Sequence, residues 1–315
     1  MKLDTPNKSS LKGNGSGHGE GREVDPRLVQ ETSIKSPHED WPIRLYRKSV
    51  LKQRKLKEIT ALLGRTEGLH CLDVGGDNGV VSYLLRCRGG KWKSADLDER
   101  TVRAIRDLVR DAVFQIDGEK TPFEDNEFDR VIIVDFLEHI RTDADFAREL
   151  FRILKPGGQL IVNVPHIKTS LLRKFRHAIG ETDEKHGHVR PGYTIDVLTD
   201  LLGNRFTVVS WNTYSKFFSE SIDTLVNFAS GRLKKGESAT SSKGLIVTGQ
   251  DLIQNRKIFR VYSFTYPVLW LIAKLDGLLF WTSGYMLIVK AIVNKGAAQG
   301  PGIFPDEAKH AARTL

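Results

Sequence analysis

Short β-rich runs alternate with helical patterns through most of the chain, and this alternation constrains the fold more strongly than any other sequence feature. Between the runs, apolar residues recur at helical spacing, as at Phe146, Leu150 and Ile153. Strands that alternate with helices predict a parallel sheet with helices on both faces. The predicted strands are 70–75, 91–97, 112–118, 129–136, 159–165, 206–214 and 285–293. The sequence therefore predicts an α/β, Rossmann-like sheet of seven strands.

Three parts of the chain depart from this pattern. Residues 1–38 are rich in Gly, Ser, Lys and His and are predicted to form a disordered arm, and residues 295–315 a flexible tail. A Ser, Lys and Gly segment followed by an aromatic-rich helical pattern separates the last two strands. We therefore expect a core at 39–215, a helical insertion or lid at 216–284, and the last core strand at 285–294.

Apolar stretches in this chain are short. The two longest stretches without Asp, Glu, Lys or Arg are 13 residues each, at 261–273 and 277–289. A membrane-spanning helix needs roughly 18. The first twenty residues lack the apolar core of a secretory signal, so we expect a cytoplasmic location.

Charge and aromatic residues indicate what the chain binds. The 48 Lys and Arg against 39 Asp and Glu give a net charge of +9, which suits nucleic acid, anionic lipid or a phosphorylated partner. Residues 44–57 hold seven basic residues and no acid, and predict a basic helix. Residues 259–285 hold eight of the 27 aromatics and resemble an interfacial element that lies on the inner face of the cell membrane. The alternative is a helical subdomain that buries these rings in its own core.

Glycines and carboxylates follow the predicted strands. In an open α/β sheet the ligand lies across the carboxyl ends of the strands. A glycine turn there allows close backbone approach, and a carboxylate can accept hydrogen bonds from a ribose diol or an adenine amine. The ligand that this arrangement predicts is a nucleoside whose 5′ end points at the glycine turn. The candidate residues are Asp73, Gly75, Gly76, Asp77, Gly79, Asp96, Leu97, Asp117, Gly118 and Asp135.

Three segments carry a resemblance to a known family: LDVGGDNG at 72–79, DGEKTPFEDNEFDRVIIVDFLEHI at 117–140, and LFRILKPGGQLIVNVP at 150–165. Together with the strand end at Asp96 they resemble the class I S-adenosylmethionine-dependent methyltransferases, in particular the type 11 group that includes ubiquinone and menaquinone methyltransferases. The middle glycine of that family's DxGxGxG motif is replaced here by Asp77. The resemblance implies a seven-stranded methyltransferase sheet and S-adenosyl-L-methionine as the cofactor.

The resemblance also implies a role for each strand end. Asp73 and the glycine turn would hold the methionine part of the cofactor and Asp96 its ribose. Asp117 with Gly118 would hold the adenine. Asp135 would face the cofactor or the incoming nucleophile.

Catalysis by such an enzyme consists mainly of placing a nucleophile in line with the sulfur–methyl bond. His166, directly after the fifth strand, is the first candidate base, with a neutral loop histidine as the alternative. His188 is a second candidate base, and Arg190 a candidate for binding an anionic acceptor group. A polar loop before a helix N-cap at Thr194 is the alternative for this segment. Glu138 and His139 match a family pattern, with packing or capping as the alternative role.

No metal site is predicted, because no carboxylate or thiolate lies at ligand spacing from the histidines in the sequence.

The predicted acceptor is small and hydrophobic or lipid-linked, of quinone, polyprenyl or envelope glycolipid type. Nucleic acid is a disfavoured alternative, since residues 134–137 lack the Asn/Asp-Pro-Pro-aromatic signature. A nicotinamide enzyme fails on glycine spacing. A methyltransferase fold without activity remains a further alternative because of Asp77. The oligomeric state and the methylated atom stay open.

Overall fold

The computed structural model describes residues 41–76, 78–168, 172–173, 176, 187–233 and 256–296. The predicted arm at 1–38, residue Asp77 and most of the predicted tail lie outside these residues.

The centre of the molecule is a seven-stranded sheet with the strand order β3-β2-β1-β4-β5-β7-β6. Strands β1 to β5 pair in parallel, whereas β7 runs antiparallel to both β5 and β6. The predicted Rossmann-like seven-stranded fold is confirmed. The strands are β1 His70–Val74, β2 Lys91–Asp96, β3 Val113–Gln115, β4 Phe128–Val134, β5 Leu154–Pro165, β6 Phe206–Tyr214 and β7 Met286–Val293.

Helices connect most of these strands. The predicted basic helix over 44–57 is instead two helices, since the chain turns at 47–49 and Ser49 caps the second helix by accepting a hydrogen bond from the Lys52 amide at 3.3 Å. The helices are α1 Trp41–Tyr46, α2 Val50–Leu63, α3 Val80–Arg86, α4 Glu99–Val109, α5 Asp143–Ile153, α6 Ile195–Leu202, α7 Phe217–Leu233 and α8 Arg256–Lys274.

Apolar side chains cover both faces of the sheet. Successive residues of a strand point to opposite faces, and in β4 this places Val131 and Ile133 in one apolar cluster and Ile132 in the other. The first cluster includes residues of α5 and α6, and the second includes residues of α2 and α3. The sheet is therefore buried between two helical layers, and its strand ends are the places where polar side chains can reach a ligand.

The segment between β6 and β7 contains α7, α8 and a 3₁₀ turn at Leu275–Leu278. The Asp276 carboxylate accepts hydrogen bonds from the backbone amides of Lys216 at 2.7 Å and Phe218 at 2.9 Å, which fixes the turn to the start of α7. Helix α8 contacts α2 through a 3.0 Å hydrogen bond from the Gln53 amide to the Tyr266 hydroxyl. The division of the chain into core, insertion and tail stays a prediction.

The aromatic residues of this segment are largely exposed to solvent. Phe264, Phe280 and Trp281 have exposed fractions of 86%, 80% and 69%. The alternative in which the segment buries its rings in its own core is therefore wrong for these three. Among the described helices, none combines the length and the apolar character that crossing a membrane would require.

Candidate cofactor and acceptor site

The reversal of strand order lies at β1, which has β2 on one side and β4 on the other. Ligands of open α/β sheets bind at such a point, outside the carboxyl ends of the strands. Parallel pairing aligns these ends, with Val74 beside Ala95 of β2 and Ile133 of β4. The glycine turn and the carboxylates after β2 and β4 thus share one edge of the sheet.

The turn after β1 needs glycine at two positions. Gly75 has a φ of 94°, and a Cβ atom there would overlap the carbonyl oxygen of Val134. Gly79 has a φ of 81°, and a Cβ atom there would lie 2.8 Å from the Cα of Ile105. The Gly79 amide donates to the carbonyl of Gly76 at 2.9 Å and closes the turn. Bare backbone therefore lies against the end of β4 at Gly75 and against α4 at Gly79.

Asp73 is buried beneath this turn. Its carboxylate accepts hydrogen bonds from Ser82, from Ser94 at 2.7 Å and from the Arg86 guanidinium at 3.3 Å. Burial raises the pKa of Asp73 above its usual value, although Arg86 and the two hydroxyls oppose that shift. These bonds tie β1 to α3 and β2 beneath the turn, and the role of Asp73 and the glycine turn in holding the methionine part of the cofactor stays a prediction.

The strand ends that were predicted to hold adenosine lie on β2 and beyond β3. The buried Asp96 carboxylate accepts hydrogen bonds from the amides of Leu97 at 2.7 Å and Asp98 at 3.3 Å. The exposed Asp117 carboxylate accepts from two amides of the turn that begins at Gly118, and these bonds lower the pKa of Asp117. Leu97 and Asp117 line one open groove. Of the predicted adenosine residues, the structure thus brings Leu97 and Asp117 to one groove, whereas Asp96 is buried and does not line it. Their contacts with a cofactor stay predictions.

Asp135 begins a chain of polar contacts at the end of β4. Its φ of 46° is uncommon for a residue with a side chain. Its carboxylate accepts a hydrogen bond from the Asn163 amide at 2.9 Å and pairs with the Lys55 ammonium group. The buried Tyr214 hydroxyl donates a hydrogen bond to the side-chain oxygen Oδ1 of Asn163 at 2.5 Å. Lys55, Asn163 and Tyr214 were not among the predicted site residues, although a lone Asn within the apolar run of β5 is a signal for a buried polar contact.

A small cavity lies between the glycine turn and Asp135. Its lining includes Gly75, Asn78, Tyr46 and Lys55, and its volume is about 20 Å³. Such a volume holds about one water molecule. As it stands, the cavity is too small for the methionine part of S-adenosylmethionine, and Lys55 and Asp135 both line it. The residues present otherwise fit this cofactor, since side-chain-free backbone adjoins the cavity and carboxylates follow β2, β3 and β4.

His166 lies beside β7 at the end of β5. Its Nδ1 atom is 2.9 Å from the carbonyl oxygen of Gly284. A carbonyl only accepts, so Nδ1 carries the proton and the lone pair is on Nε2. This contact agrees with a backbone-bound loop histidine and leaves one nitrogen able to accept a proton. The base role of His166 stays a prediction.

Arg190 contacts groups of the protein itself, and its role in binding an anionic acceptor group stays a prediction. Its guanidinium pairs with the buried Asp143 carboxylate. It also donates to the carbonyl oxygens of Ile140 at 3.0 Å and Arg141 at 3.2 Å. Because these groups engage the guanidinium, Arg190 fixes the loop at 187–193 to the segment that follows β4.

The same loop brings His188 to Glu138 and His139. Ligand atoms of these three side chains all lie within 4.8 Å of one another. The expectation that no carboxylate lies at ligand spacing from the histidines is therefore wrong, because the fold closes a sequence separation of 50 residues.

Comparison with known proteins finds similarity to methyltransferases over part of the chain. Residues 72–162 match the family model described as a methyltransferase domain. The ubiquinone/menaquinone biosynthesis C-methyltransferase UbiE of Azotobacter vinelandii is 32% identical over 111 residues, which cover 32% of this chain and 44% of that protein. The UbiE of Pseudomonas fluorescens is 35% identical over 112 residues, covering 32% of this chain and 43% of that protein. The matches thus span less than half the length of these relatives.

Solved structures give weaker likenesses. The [4+2]-cyclase SpnF is 18% identical, with a TM-score of 0.47 over 78% of this chain and 80% of that one. An S-adenosylmethionine-dependent methyltransferase from Mesorhizobium loti is 16% identical, with a TM-score of 0.45 over 76% and 96% of the two chains. Scores of this size support no inference about function.

The family match and the sheet together define the class of protein. Residues 72–162 carry a class I S-adenosylmethionine-dependent methyltransferase domain, and about a third of the chain is similar to the UbiE proteins. The predicted family and the predicted cofactor, S-adenosyl-L-methionine, are confirmed.

Proposed function

We propose that the full chain is an active methyltransferase that acts on a small hydrophobic or lipid-linked acceptor at the surface of an anionic membrane. The observation that carries the proposal is the shared edge of β1, β2 and β4, where a side-chain-free glycine turn lies beside Asp96 and Asp135. In this proposal the adenosine lies over β2 and β3, and the reactive methyl group points toward Asp135.

A sulfonium is a strong methyl donor, so most of the catalysis comes from alignment of the acceptor with the sulfur–methyl bond. Asp135 is suited to orient the acceptor, because Asn163 fixes one carboxylate oxygen and Lys55 releases the other when it moves. Where the acceptor carries a proton, His166 takes it through Nε2. Asp135 follows β4, His166 follows β5, and Lys55 stands on helix α2.

The acceptor class is inferred from an exposed apolar stripe on α8 and the turn after it. Phe264, Val268 and Leu271 follow one another at steps of four and three, and all are exposed. Leu275 and Leu278 continue that spacing. An apolar stripe of this kind, with Trp and Phe at its end, is typical of helices that lie in a membrane interface.

Positive charge lies on another face of α8 and at its end. The basic stretch at 44–57 includes the first half of α2, which packs against α8, and the Lys48 ammonium is 5.2 Å from the ring centre of Tyr266. Tyr266 lies about 200° around the helix from Phe264. The Lys274 ammonium lies 4.7 Å from the ring centre of Trp270. Lysines beside apolar surface favour anionic lipid headgroups. A lipid-linked acceptor could then reach the strand ends from the membrane.

Isothermal titration of the full chain with S-adenosylmethionine and with NAD tests the cofactor part. We expect one equivalent of S-adenosylmethionine to bind and NAD not to bind. Asp96→Ala should weaken binding at least 10-fold, since a bond to a charged group contributes about 1.5–3 kcal/mol. Asp107→Ala, an exposed change on α4, is the control. Equal binding by the Asp96 variant and wild type would contradict the ribose assignment.

Flotation with vesicles of phosphatidylcholine alone, and of phosphatidylcholine with phosphatidylglycerol, tests the membrane part. We expect binding only to the anionic vesicles. Replacing Phe264, Phe280 and Trp281 together with Ala should reduce binding at least 10-fold, because each buried ring contributes about 1.5–3 kcal/mol. Trp211→Ala removes an exposed ring on β6 and is the control. Equal flotation of the triple variant, or RNA binding that outcompetes the vesicles, would overturn the proposal.

A further inference from the structure

The geometry points to a divalent metal site formed by Glu138, His139 and His188, whose open coordination positions take an oxygen atom of the methyl acceptor. Glu138 and His139 stand on the 3₁₀ turn Leu137–His139, three and four residues after Asp135. His188 reaches them from the loop before α6. The site therefore adjoins the place where methyl transfer is proposed, and the substrate part of this inference rests on that proposed function.

The spacing of the three side chains suits a metal ion. Their ligand atoms lie within 4.8 Å of one another. Two ligands of a tetrahedral zinc ion are about 3.4 Å apart, because each bond is about 2.1 Å long. A movement of about 0.7 Å by each atom of a pair would close the widest of these separations to that value. Rotation of the side chains supplies such a movement without a change of fold.

The protonation of His139 is already set for metal binding. Its Nδ1 atom lies 3.0 Å from the carbonyl oxygen of Gly187, so Nδ1 carries the proton and the Nε2 lone pair can bind a cation. Metal-binding histidines commonly donate their second ring proton to a carbonyl or carboxylate in this way. Gly187 also precedes His188, so this bond holds two of the three ligands together.

Contacts outside the cluster hold its two segments in place. The Val189 amide donates to the carbonyl oxygen of Glu138 at 2.9 Å. The buried Tyr193 hydroxyl lies 3.2 Å from the carbonyl oxygen of Leu137 and 3.0 Å from the Asp143 carboxylate, which also pairs with Arg190. Because these bonds fix the loop to the turn, the ligands are organised before a metal arrives.

The chemistry of the donors selects the class of metal. Two imidazoles suit zinc, iron and nickel, whereas magnesium and calcium prefer oxygen ligands throughout. Glu138 has an exposed fraction of 1%, so its carboxylate lies inside the fold and not on the surface. Two histidines and one carboxylate also leave coordination positions open, as catalytic sites do.

The open positions define the acceptor as one with a hydroxyl group. A nearby dication lowers the pKa of that hydroxyl and fixes its orientation. The hydroxyl proton goes to His166, and the oxygen forms a bond to the methyl carbon as the carbon–sulfur bond breaks. The electron pair of the broken bond stays on sulfur and yields the neutral thioether. The products are a methyl ether and S-adenosylhomocysteine.

The test is metal binding by the full chain, without an affinity tag and after treatment with EDTA. Calorimetric titration with Zn²⁺ and with Mn²⁺, and elemental analysis after dialysis, should show one tightly bound ion per chain. Glu138→Gln and His188→Ala should each weaken binding at least 100-fold, because losing an outer-sphere partner alone costs 10- to 100-fold. His70→Ala, at the start of β1, is the matched control and should bind as wild type does.

Two measurements keep the outcomes distinct. Far-ultraviolet circular dichroism and S-adenosylmethionine titration show whether each variant is folded, and Glu138→Gln keeps the volume of the side chain. The metal site is overturned if neither ion binds, or if Glu138→Gln and His188→Ala bind it as wild type does. Metal binding without any methyl transfer would instead contradict the proposed function, and methylation of a nitrogen or carbon would overturn the hydroxyl assignment.

Discussion

Tyr214→Phe deletes one hydroxyl from the buried chain of contacts that ends at Asp135. In the native protein that hydroxyl donates to the Asn163 side-chain oxygen at 2.5 Å, and Asn163 in turn donates to Asp135 at 2.9 Å. Both Tyr214 and Asn163 are buried, so water cannot easily replace the lost donor. A buried acceptor left without this partner costs about 1–3 kcal/mol.

A loss of about 2 kcal/mol corresponds to a fall in Tm of about 4–8 °C for a domain of this size. Scanning calorimetry of the full chain measures it. Tyr266→Phe is the matched control, since its hydroxyl also contacts an amide side chain, that of Gln53, at a half-buried site where water can substitute. We expect that variant to lose less than about 1 kcal/mol. If Tyr214→Phe were no less stable than Tyr266→Phe, the argument that this network fixes Asp135 would be refuted.

Three further predictions concern a buried carboxylate on α5, the ion pair at Asp135 and the glycine turn. Burial alone would raise the pKa of Glu149, but hydrogen bonds from Arg152 and Thr121 lower that pKa overall. The stability that Glu149 contributes should therefore be present above its unfolded pKa and be lost as the pH falls through its lower folded pKa. Urea denaturation between pH 6 and 3 should show a smaller loss of unfolding free energy for Glu149→Gln than for wild type, and an equal loss would contradict this. Lys55→Ala should speed S-adenosylmethionine association up to about 5-fold in stopped-flow measurements, since breaking the partly exposed ion pair between Lys55 and Asp135 costs about 0–1 kcal/mol. An association rate equal to that of wild type would mean that Lys55 does not close the cavity. Gly75→Ala should abolish cofactor binding in calorimetric titration because its Cβ would overlap a backbone carbonyl of β4, and unimpaired binding would refute the tight turn.

The periodic features of the sequence predicted the sheet well because each depends on local pattern. Alternation of strand and helix gave seven strands, and glycines and acids that end strands are brought together by parallel pairing alone. The role of Asp73 was less visible, since its partners Ser82, Arg86 and Ser94 come from a helix and a neighbouring strand. A carboxylate that ends a strand has the same sequence signature whether it faces the ligand or the core.

Contacts between distant segments account for the remaining differences. Arg190 suggested an anion site, but its partner Asp143 lies 47 residues away, and nothing in the local sequence pairs them. The same holds for His188 and Glu138, which the loop before α6 brings together. Such pairs follow from the path of the chain over the strand ends, which periodicity does not specify.

The most direct test of the adenosyl site is a crystal structure of the full chain with S-adenosylhomocysteine. It should place the ribose hydroxyls within hydrogen-bond distance of the Asp96 carboxylate, the adenine beside Asp117 and Gly118, and the sulfur next to Asp135 with Lys55 turned away. A ligand bound elsewhere, or one that leaves the pair between Lys55 and Asp135 intact, would contradict the account.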